Sequence, residues 1–149
     1  MKEQFVPYEI ALELKQLGFN DECFGYYSNE YNLEIGLPEK YTDRCHGNQK
    51  EGTYRRIGFI SAPLYQQAFD WFRNNYLLHS SVDFDMIKEL EDEDIELYNY
   101  KINEQWSIGK EYYDYSYGFK HIDHKCHFRS YEEARIECLK KLIEVVKNK

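Results

Sequence analysis

Histidine, cysteine and aspartate, residue types that bind metal ions, are concentrated in one short segment, residues 121–127 (HIDHKCH). Alternate residues of a β-strand face the same side, which gives two candidate ligand sets: His121, Asp123 and His127, or His124 and Cys126. Cys45 and His46 could complete the second set. Zinc sites usually take their ligands from two short-spaced pairs, and neither set has that spacing. The segment therefore indicates an edge strand with a polar outer face, and we expect no metal and no other cofactor.

The four cysteines of the chain show neither a paired spacing nor a protease signature. They are also too few for a disulfide scaffold in a chain of this size. Cys45 lies beside His46, but sequence neighbours are poorly placed for proton transfer, which requires a base within hydrogen-bond reach of the sulfur. Cys138 falls on the inner face of a predicted helix, where a thiol packs as a small apolar group. Catalysis by cysteine is therefore not expected.

Glycine and acidic residues form no nucleotide-binding or calcium-binding motif. The sequence contains no GxGxxG and no GxSxG, and residues 109–111 (GKE) have Glu where a P-loop requires Ser or Thr. An acidic run covers residues 83–96, but a calcium loop starting at Asp83 would have Ile87 at a ligand position. We interpret the run as a solvated connection between two strands. The alternative is a mimic of a phosphate backbone that occupies the basic groove of a nucleic-acid enzyme.

Tyrosine accounts for 15 of the 149 residues, and strand alternation gathers many of these rings into stripes. The stripes are Tyr113, Tyr115, Tyr117 and Phe119 on one strand, and Tyr98, Tyr100 and Ile102 on the strand before it. Exposed stripes stack on bases or sugars, whereas inward-facing stripes pair across strands beneath helices. The predicted helices need a sheet face to cover, which favours a core role. If they face solvent instead, Tyr113, Tyr115 and Tyr117 are the candidate interaction surface.

Apolar periodicity predicts three helices, over residues 7–17, 62–76 and 131–147. Gly18 is placed to end the first helix, and Ser61 is a natural N-cap for the second. The third helix opens with a capping box formed by Ser130 and Glu133. Arg135 falls within the apolar arc of this helix, and we expect its guanidinium to extend outward to solvent. The alternative is a buried guanidinium paired with a carboxylate.

Aromatic and β-branched residues between the helices predict strands. These strands cover residues 23–28, 31–36, 54–60, 78–84, 96–103 and 112–119 or beyond. Strands joined by short links are normally antiparallel. The order α-β-β-(β)-α-β-β-β-α therefore predicts the α+β class, with three helices packed on an antiparallel sheet of about four to six strands. The length favours a single domain over residues 1–149, with a long exposed loop at about residues 37–53.

Charge and hydropathy argue against nucleic acid and membranes as partners. The net charge is −8, and no apolar run approaches the roughly 18 residues of a membrane span. From the second helix onward the order is that of double-stranded-RNA-binding domains, which meet phosphates at the start of their last helix. Glu132 and Glu133 occupy that position here and would repel phosphate. The N-terminal residues show no secretory-leader pattern, so we expect a cytoplasmic location.

Three blocks of the sequence are distinctive: FVPYEIALELKQLGFNDECFGYY, ISAPLYQQAFDWFRNNYLLHS and SYEEARIECLKKLIEVVKNK. Together they resemble a group of small, uncharacterised proteins encoded by phages and integrated mobile elements of gut bacteria. The likeness covers under half of the chain, and residues 37–53 and 95–119 depart from it. The resemblance implies a cytoplasmic accessory protein of a mobile element, and it carries no activity, cofactor or active site.

No set of side chains converges on a reaction, so we expect the chain not to be an enzyme. The sequence favours a non-enzymatic protein-interaction or regulatory module whose partner is a protein of host or phage origin. The alternative is a domain that binds nucleic acid or a small ligand through exposed tyrosines. An uncovered aromatic sheet face would also favour a homodimer.

Overall fold

The computed structural model describes residues 2–29, 32–36, 60–88, 94–109 and 115–149. At residues 29, 85–88, 94–96, 106–109 and 115–118 the description is limited to the backbone. After a short 3-10 helix, Lys2–Gln4, the elements are α1 (Tyr8–Gln16), β1 (Gly25–Asn29), β2 (Asn32–Ile35), β3 (Ile60–Ala62), α2 (Tyr65–Tyr76), β4 (Leu78–Lys88), β5 (Asp94–Gly109), β6 (Tyr115–Phe128) and α3 (Tyr131–Lys147). The predicted loop at residues 37–53 lies outside the described residues.

The described part of the chain belongs to the α+β class, as predicted, with three α-helices and two antiparallel sheets. Each sheet has three strands, in the orders β2-β1-β3 and β4-β5-β6, whereas the sequence predicted one sheet. Alternation along a strand indicates which face is apolar but not which strand will pair with it. The chain divides into two compact units, Met1–Ala68 and Phe69–Lys149. Organisation as a single domain stays a prediction.

The core of the first unit is built on β1, the central strand of its sheet. Tyr26 and Tyr27 are consecutive yet both are buried, so side chains cover both faces of this strand. The Tyr27 hydroxyl donates a hydrogen bond to the Val6 carbonyl at 2.7 Å, and its ring lies edge-on to Tyr8 at 5.5 Å between centroids. Burial, more than any other cause, raises the pKa of Tyr27 to about 12. Two of the fifteen tyrosines are thus accounted for by packing.

The end of α1 is fixed by Gly18, as the sequence predicted. Gly18 has φ +98°, in the left-handed region that glycine adopts without a steric penalty. Its N–H donates to the Lys15 carbonyl, and the Phe19 N–H donates to the Leu14 carbonyl. These two bonds form the Schellman arrangement that satisfies the last carbonyls of a helix.

Replacing Gly18 by Ala should lower the free energy of unfolding by about 1 kcal/mol. Apart from the chain neighbours of Gly18, no atom of the described residues lies within 4 Å of the position where the new Cβ would stand, so the cost is that of the backbone conformation. Urea denaturation measures the change. Gly18→Asn is the control and should cost less, because asparagine tolerates this conformation. Equal losses for Ala and Asn would contradict the conformational argument.

The second helix begins later than predicted, and Ser61 does not cap it. Ser61 lies in β3, where it pairs with Tyr26 of β1. Pro63 disfavours a helical conformation at the residue before it, which keeps Ala62 in the strand. The first turn is closed instead by Gln67, whose Oε1 accepts a hydrogen bond from the Leu64 N–H at 3.0 Å. This is the return half of a capping box.

The second unit places α3 across one face of the β4-β5-β6 sheet, here called the inner face. The helix contributes Ala134, Cys138, Leu139, Leu142 and Ile143 to its core, and the sheet contributes Leu78, Tyr100, Ile102 and Phe128. The predicted cap is present, because the Ser130 hydroxyl accepts from the Glu133 N–H at 3.1 Å. The Glu133 carboxylate accepts from the Arg129 N–H, one residue earlier than in a regular capping box. The start of α3 is therefore fixed by local hydrogen bonds.

Arg135 is buried, and the prediction that it extends into solvent is wrong. Its side chain is 5% exposed, and its guanidinium carbon lies 5.5 Å from the centroid of the Tyr131 ring. The exposed Glu132 carboxylate is 3.9 Å from the same guanidinium. A planar guanidinium is weakly hydrated and packs on aromatic faces, so it remains within the apolar arc beside Tyr131.

The acidic run is not simply a connection between strands. Asp83 lies within β4, which continues to Lys88, and β5 already begins at Asp94. Residues 89–93 lie outside the described part. Residues 82–86 (VDFDM) alternate apolar and acidic side chains, which is the period of a half-buried strand.

Two irregularities in β6 change the direction of its polar side chains. Asp123 pairs with Ile102, but the next pair in the ladder is His121 with Asn103, which leaves Ile122 as an extra residue. A further shift between Tyr98 and Tyr100 inserts an extra residue at 126–127. Each β-bulge interrupts the two-residue alternation and bends the strand. A regular strand was therefore the wrong premise for assigning faces in residues 121–127.

Candidate functional site

The sheet face that points away from α3, here called the outer face, is polar and largely open to solvent. Strand register assigns to it His79, Ser81 and Asp83 of β4, Asn99, Lys101, Asn103 and Gln105 of β5, and Phe119, His121 and His124 of β6. Lys101, Phe119, His121 and His124 are all exposed. Three imidazoles, the amides of Asn103 and Gln105 and a phenylalanine thus share one accessible surface, whereas Asn99 is buried.

Phe119 is the apolar centre of the outer face. Its side chain is 60% exposed, and its ring meets the His79 ring edge-on with 5.3 Å between centroids. His79 Nε2 lies 2.7 Å from Gln105 Oε1, so in the tautomer with hydrogen on Nε2 the imidazole donates to the amide oxygen. This bond fixes the imidazole, which in turn supports one side of the Phe119 ring. The outer face therefore presents an exposed aromatic ring that is held in place.

Two charged side chains are described on the outer face, Asp83 and Lys101, and their formal charges are opposite. Asp83 Oδ2 lies 3.9 Å from Lys101 Nζ, and it accepts a hydrogen bond from the Ser81 hydroxyl at 3.0 Å. Both charged side chains are about half exposed, so the pair contributes little to stability. Its effect on recognition is greater, because the strand register assigns no unbalanced lysine or arginine to this face.

Of the predicted tyrosine surface, Tyr113 lies outside the described residues. Tyr115 and Tyr117 belong to β6, where their backbones pair with Gly109 and Ser107 of β5. Only the backbones of these two tyrosines are described. The fourth residue of that stripe, Phe119, is exposed on the outer face. The role of Tyr113, Tyr115 and Tyr117 as an interaction surface stays a prediction.

The second stripe confirms the core interpretation at Tyr100 and Ile102, which are 3% and 0% exposed on the inner face. The Tyr100 hydroxyl donates to Asp123 Oδ2 at 2.9 Å, and its ring stacks on Phe128 at 5.7 Å between centroids. Burial is the main cause that raises the pKa of Tyr100 far above its ordinary value, and Asp123 adds to the effect. This tyrosine is a packing residue with its one polar atom satisfied.

A shallow groove lies between α3 and β6, beside the Tyr100 hydroxyl. It is lined by Tyr100, Asp123, Lys125, Glu137, Lys140, Lys141 and Glu144. On the helix the charges are paired, since Lys140 contacts Glu137 at 2.7 Å and Lys141 contacts Glu144 at 3.1 Å. Lys125 lies over the Phe128 ring at 5.3 Å. The groove is thus a mixed-charge surface whose groups bind one another.

The bulges separate the residues of the predicted metal sets. His121 pairs with Asn103 on the outer face, whereas Asp123 faces inward and contacts Tyr100. The grouping of His121, Asp123 and His127 on one face is therefore wrong. His124 lies on the outer face opposite Lys101, and Cys45 and His46 lie outside the described residues. In the part of the chain that is described, no three His, Cys, Asp or Glu side chains are grouped as metal ligands would be.

A second exposed patch is a row of aromatic rings at the start of α3. Phe84 is 50% exposed and lies 5.5 Å from Tyr98, which in turn lies 6.0 Å from Tyr131, with edge-on geometry at each step. Strand alternation predicts Tyr98 in a core stripe, but its ring is only half-buried at this end of the sheet. Phe84 is the ring of this row farthest from α3, and half of its side chain is open to solvent.

Sequence reasoning missed His79 and Gln105 as partners of Phe119. A signal was present, because residues 78–84 (LHSSVDF) alternate, and His79, Ser81 and Asp83 form the polar set of that alternation. The distance between strands β4 and β6 could not be read from this pattern.

The described helices include none with the length and apolar character needed to cross a membrane. No protein-family model, curated protein or solved structure matches the chain.

Proposed function

We propose that this chain is a non-enzymatic protein-interaction or regulatory module, and that its outer face is the recognition surface. The observation that carries the proposal is Phe119, which is 60% exposed and supported edge-on by His79. Aromatic residues, phenylalanine among them, are enriched at protein interfaces relative to the rest of the surface, and a few well-packed anchors supply most of the binding energy. Asn103 and Gln105 supply neutral hydrogen-bonding groups around the ring.

Charge favours a protein over a nucleic acid as the partner. Asp83 and Lys101 cancel on the outer face, and the net charge of the chain is −8. Lysine and arginine side chains that neutralise phosphates supply a large share of the affinity for nucleic acids. Protein interfaces instead combine aromatic residues with a core depleted in charge. The partner is therefore a protein that places an apolar side chain on Phe119 and polar groups on the surrounding amides and imidazoles.

The resemblance to proteins of phages and mobile elements extends the proposal to a cellular role. The module would act in the bacterial cytoplasm as an accessory protein, on a partner from the host or from the element itself. The sequence shows no recognisable set of catalytic side chains, and this agrees with a non-enzymatic role. A second copy of the chain is also a partner of the proposed kind.

Replacing Phe119 by Ala should abolish recovery of the partner in an affinity pull-down from the bacterial host, read by mass spectrometry. The partner so identified should bind the purified variant at least about tenfold more weakly, since an aromatic anchor contributes more than about 1.4 kcal/mol. Phe84→Ala is the matched control, because Phe84 is 50% exposed but lies on the inner face. This control should retain the partner.

The pull-down has outcomes that contradict the proposal. If the Phe119 and Phe84 variants recover the same proteins as the parent chain, the outer face is not the recognition surface. If the parent recovers only nucleic acid, and nuclease treatment removes it, the partner is not a protein. Recovery of the chain alone, lost with Phe119→Ala, would identify the partner as a second copy.

The second candidate function is binding of nucleic acid or a small ligand through stacking. The observation that favours it is the exposure of the Phe119 ring beside the His79 imidazole, because both ring types stack on bases. Titration with single-stranded oligonucleotides at two salt concentrations separates it from the first proposal. Salt-dependent binding that Phe119→Ala removes would favour this candidate.

A further inference from the structure

We propose that Cys126 and His127 form a thiol–imidazole pair, and that Cys126 is a site of thiol–disulfide exchange with small-molecule disulfides. Cys126 Sγ lies 2.9 Å from His127 Nδ1. In the tautomer that carries hydrogen on Nε2, Nδ1 accepts the thiol proton. A base within hydrogen-bond reach is what activates a cysteine nucleophile. The pair lies apart from Phe119 and is independent of the function proposed for the outer face.

The backbone explains how two sequence neighbours come into contact. In a regular strand consecutive side chains point to opposite faces, so this pair could not form. The register shift between Tyr98 and Tyr100 leaves Asn99 opposite both Cys126 and His127. His127 has φ +73°, in the left-handed region. A non-glycine residue in this region is uncommon and carries strain, and here the conformation turns the imidazole toward the thiol.

Accessibility distinguishes Cys126 from the other described thiols. Cys23 and Cys138 are buried, whereas Cys126 is partly exposed. Burial raises the pKa of Cys138 to about 12. Cys138 therefore stays in the protonated form, which does not act as a nucleophile. Asn99, on the strand opposite the pair, is 4% exposed, and its Oδ1 has no hydrogen-bond partner among the described residues. The bulge thus combines an accessible thiol, a base in contact with it and an unused acceptor on the neighbouring strand.

The exchange step balances without a further reactant. The thiol proton of Cys126 moves to His127 Nδ1, and the sulfur attacks one sulfur of the small disulfide. A new S–S bond joins Cys126 to that sulfur while the original S–S bond breaks. The departing thiolate takes the proton from the His127 imidazolium. Cys126 is oxidised to a mixed disulfide, and the other half of the small disulfide is reduced to a thiol.

The test is the rate of mixed-disulfide formation with oxidised glutathione, followed by intact mass and located by peptide mapping. The full chain is used with Cys45 replaced by Ser, so that the three described thiols compete. We expect Cys126 to react first, with Cys23 and Cys138 unmodified. His127→Asn should slow the reaction about tenfold, because it removes the base. Asparagine adopts the left-handed conformation readily, so this variant preserves the bulge.

Two controls separate reactivity from folding. His121→Asn replaces an exposed histidine of the same strand, opposite Asn103, and should leave the rate at Cys126 unchanged. Cys126→Ser should abolish labelling while the circular-dichroism spectrum is retained. The proposal is overturned if His127→Asn reacts at the parent rate, if His121→Asn slows the reaction equally, or if Cys23 or Cys138 is modified before Cys126. If His127→Asn does not fold, His127→Gly takes its place, because glycine also accepts a positive φ. This variant should slow the reaction to the same extent.

Discussion

Replacing Tyr100 by Ala should lower the free energy of unfolding by about 3–5 kcal/mol, the cost typical of removing a buried aromatic ring. The ring is 3% exposed and stacks on Phe128 at 5.7 Å between centroids, under α3. Its loss leaves a cavity that the close-packed helix and strands refill only in part. Urea denaturation measures the change, and an unchanged m-value would show that the unfolding transition is otherwise the same.

Tyr100→Phe separates the ring from its hydroxyl. This variant should cost only about 1 kcal/mol, the usual contribution of one hydrogen bond, because it removes the bond to Asp123 and keeps the stacking. Phe119→Ala is the surface control, and a change within about 0.5 kcal/mol is expected since the ring is 60% exposed. A Phe variant as unstable as the Ala variant would mean that the hydroxyl, not the ring, holds this part of the core.

The free energy of unfolding should fall steeply as the pH rises from about 9 to about 12, and Cys138 should be the first group to contribute. Burial raises the pKa of this thiol from 9.0 to about 12, against a smaller lowering by its bond to Ser80. Below about pH 9 both the folded and unfolded states are protonated, and the thiol contributes no pH dependence. Above it, the unfolded state releases the proton and the folded state retains it. By about pH 11 the loss from this thiol should be about 3 kcal/mol.

The matched variant for this prediction is Cys138→Ala, measured by urea denaturation over the same pH range under reducing conditions. The variant should be less stable than the parent at neutral pH, where it leaves a small cavity, but its stability should decline less on going to high pH. Tyr27 and Tyr100, whose pKa values are also raised by burial, remain in both chains and give a shared decline above about pH 10. Parallel curves for the two chains would contradict the role of Cys138.

The features that sequence predicted well are those set by a few neighbouring residues. Gly18 ends α1 because only its own φ matters there, and Ser130 caps α3 because its partner is three residues away. Ser61 failed as a cap because Pro63 imposes an extended conformation on the residue before it. That restriction is also local, and the sequence already contained it.

The candidate site was predicted only in fragments. Phe119 was named as part of a stripe, yet its support by His79 depends on two strands, β4 and β6, that are separated by β5. The polar segment at residues 121–127 was recognised, but its faces were misassigned because two bulges interrupt the alternation. Bulge positions follow from the pairing between strands, which no local pattern of one strand encodes.

The sequence by itself determined the α+β class, the three helices with the helix ends at Gly18 and Ser130, and the inward stripe at Tyr100 and Ile102, because propensity, capping and alternation act over a few residues. Only the tertiary structure decided that the strands form two sheets, that His121 and Asp123 lie on opposite faces, and that Cys126 meets His127. These outcomes depend on strand register, and a single extra residue in a strand reverses the face of every side chain beyond it.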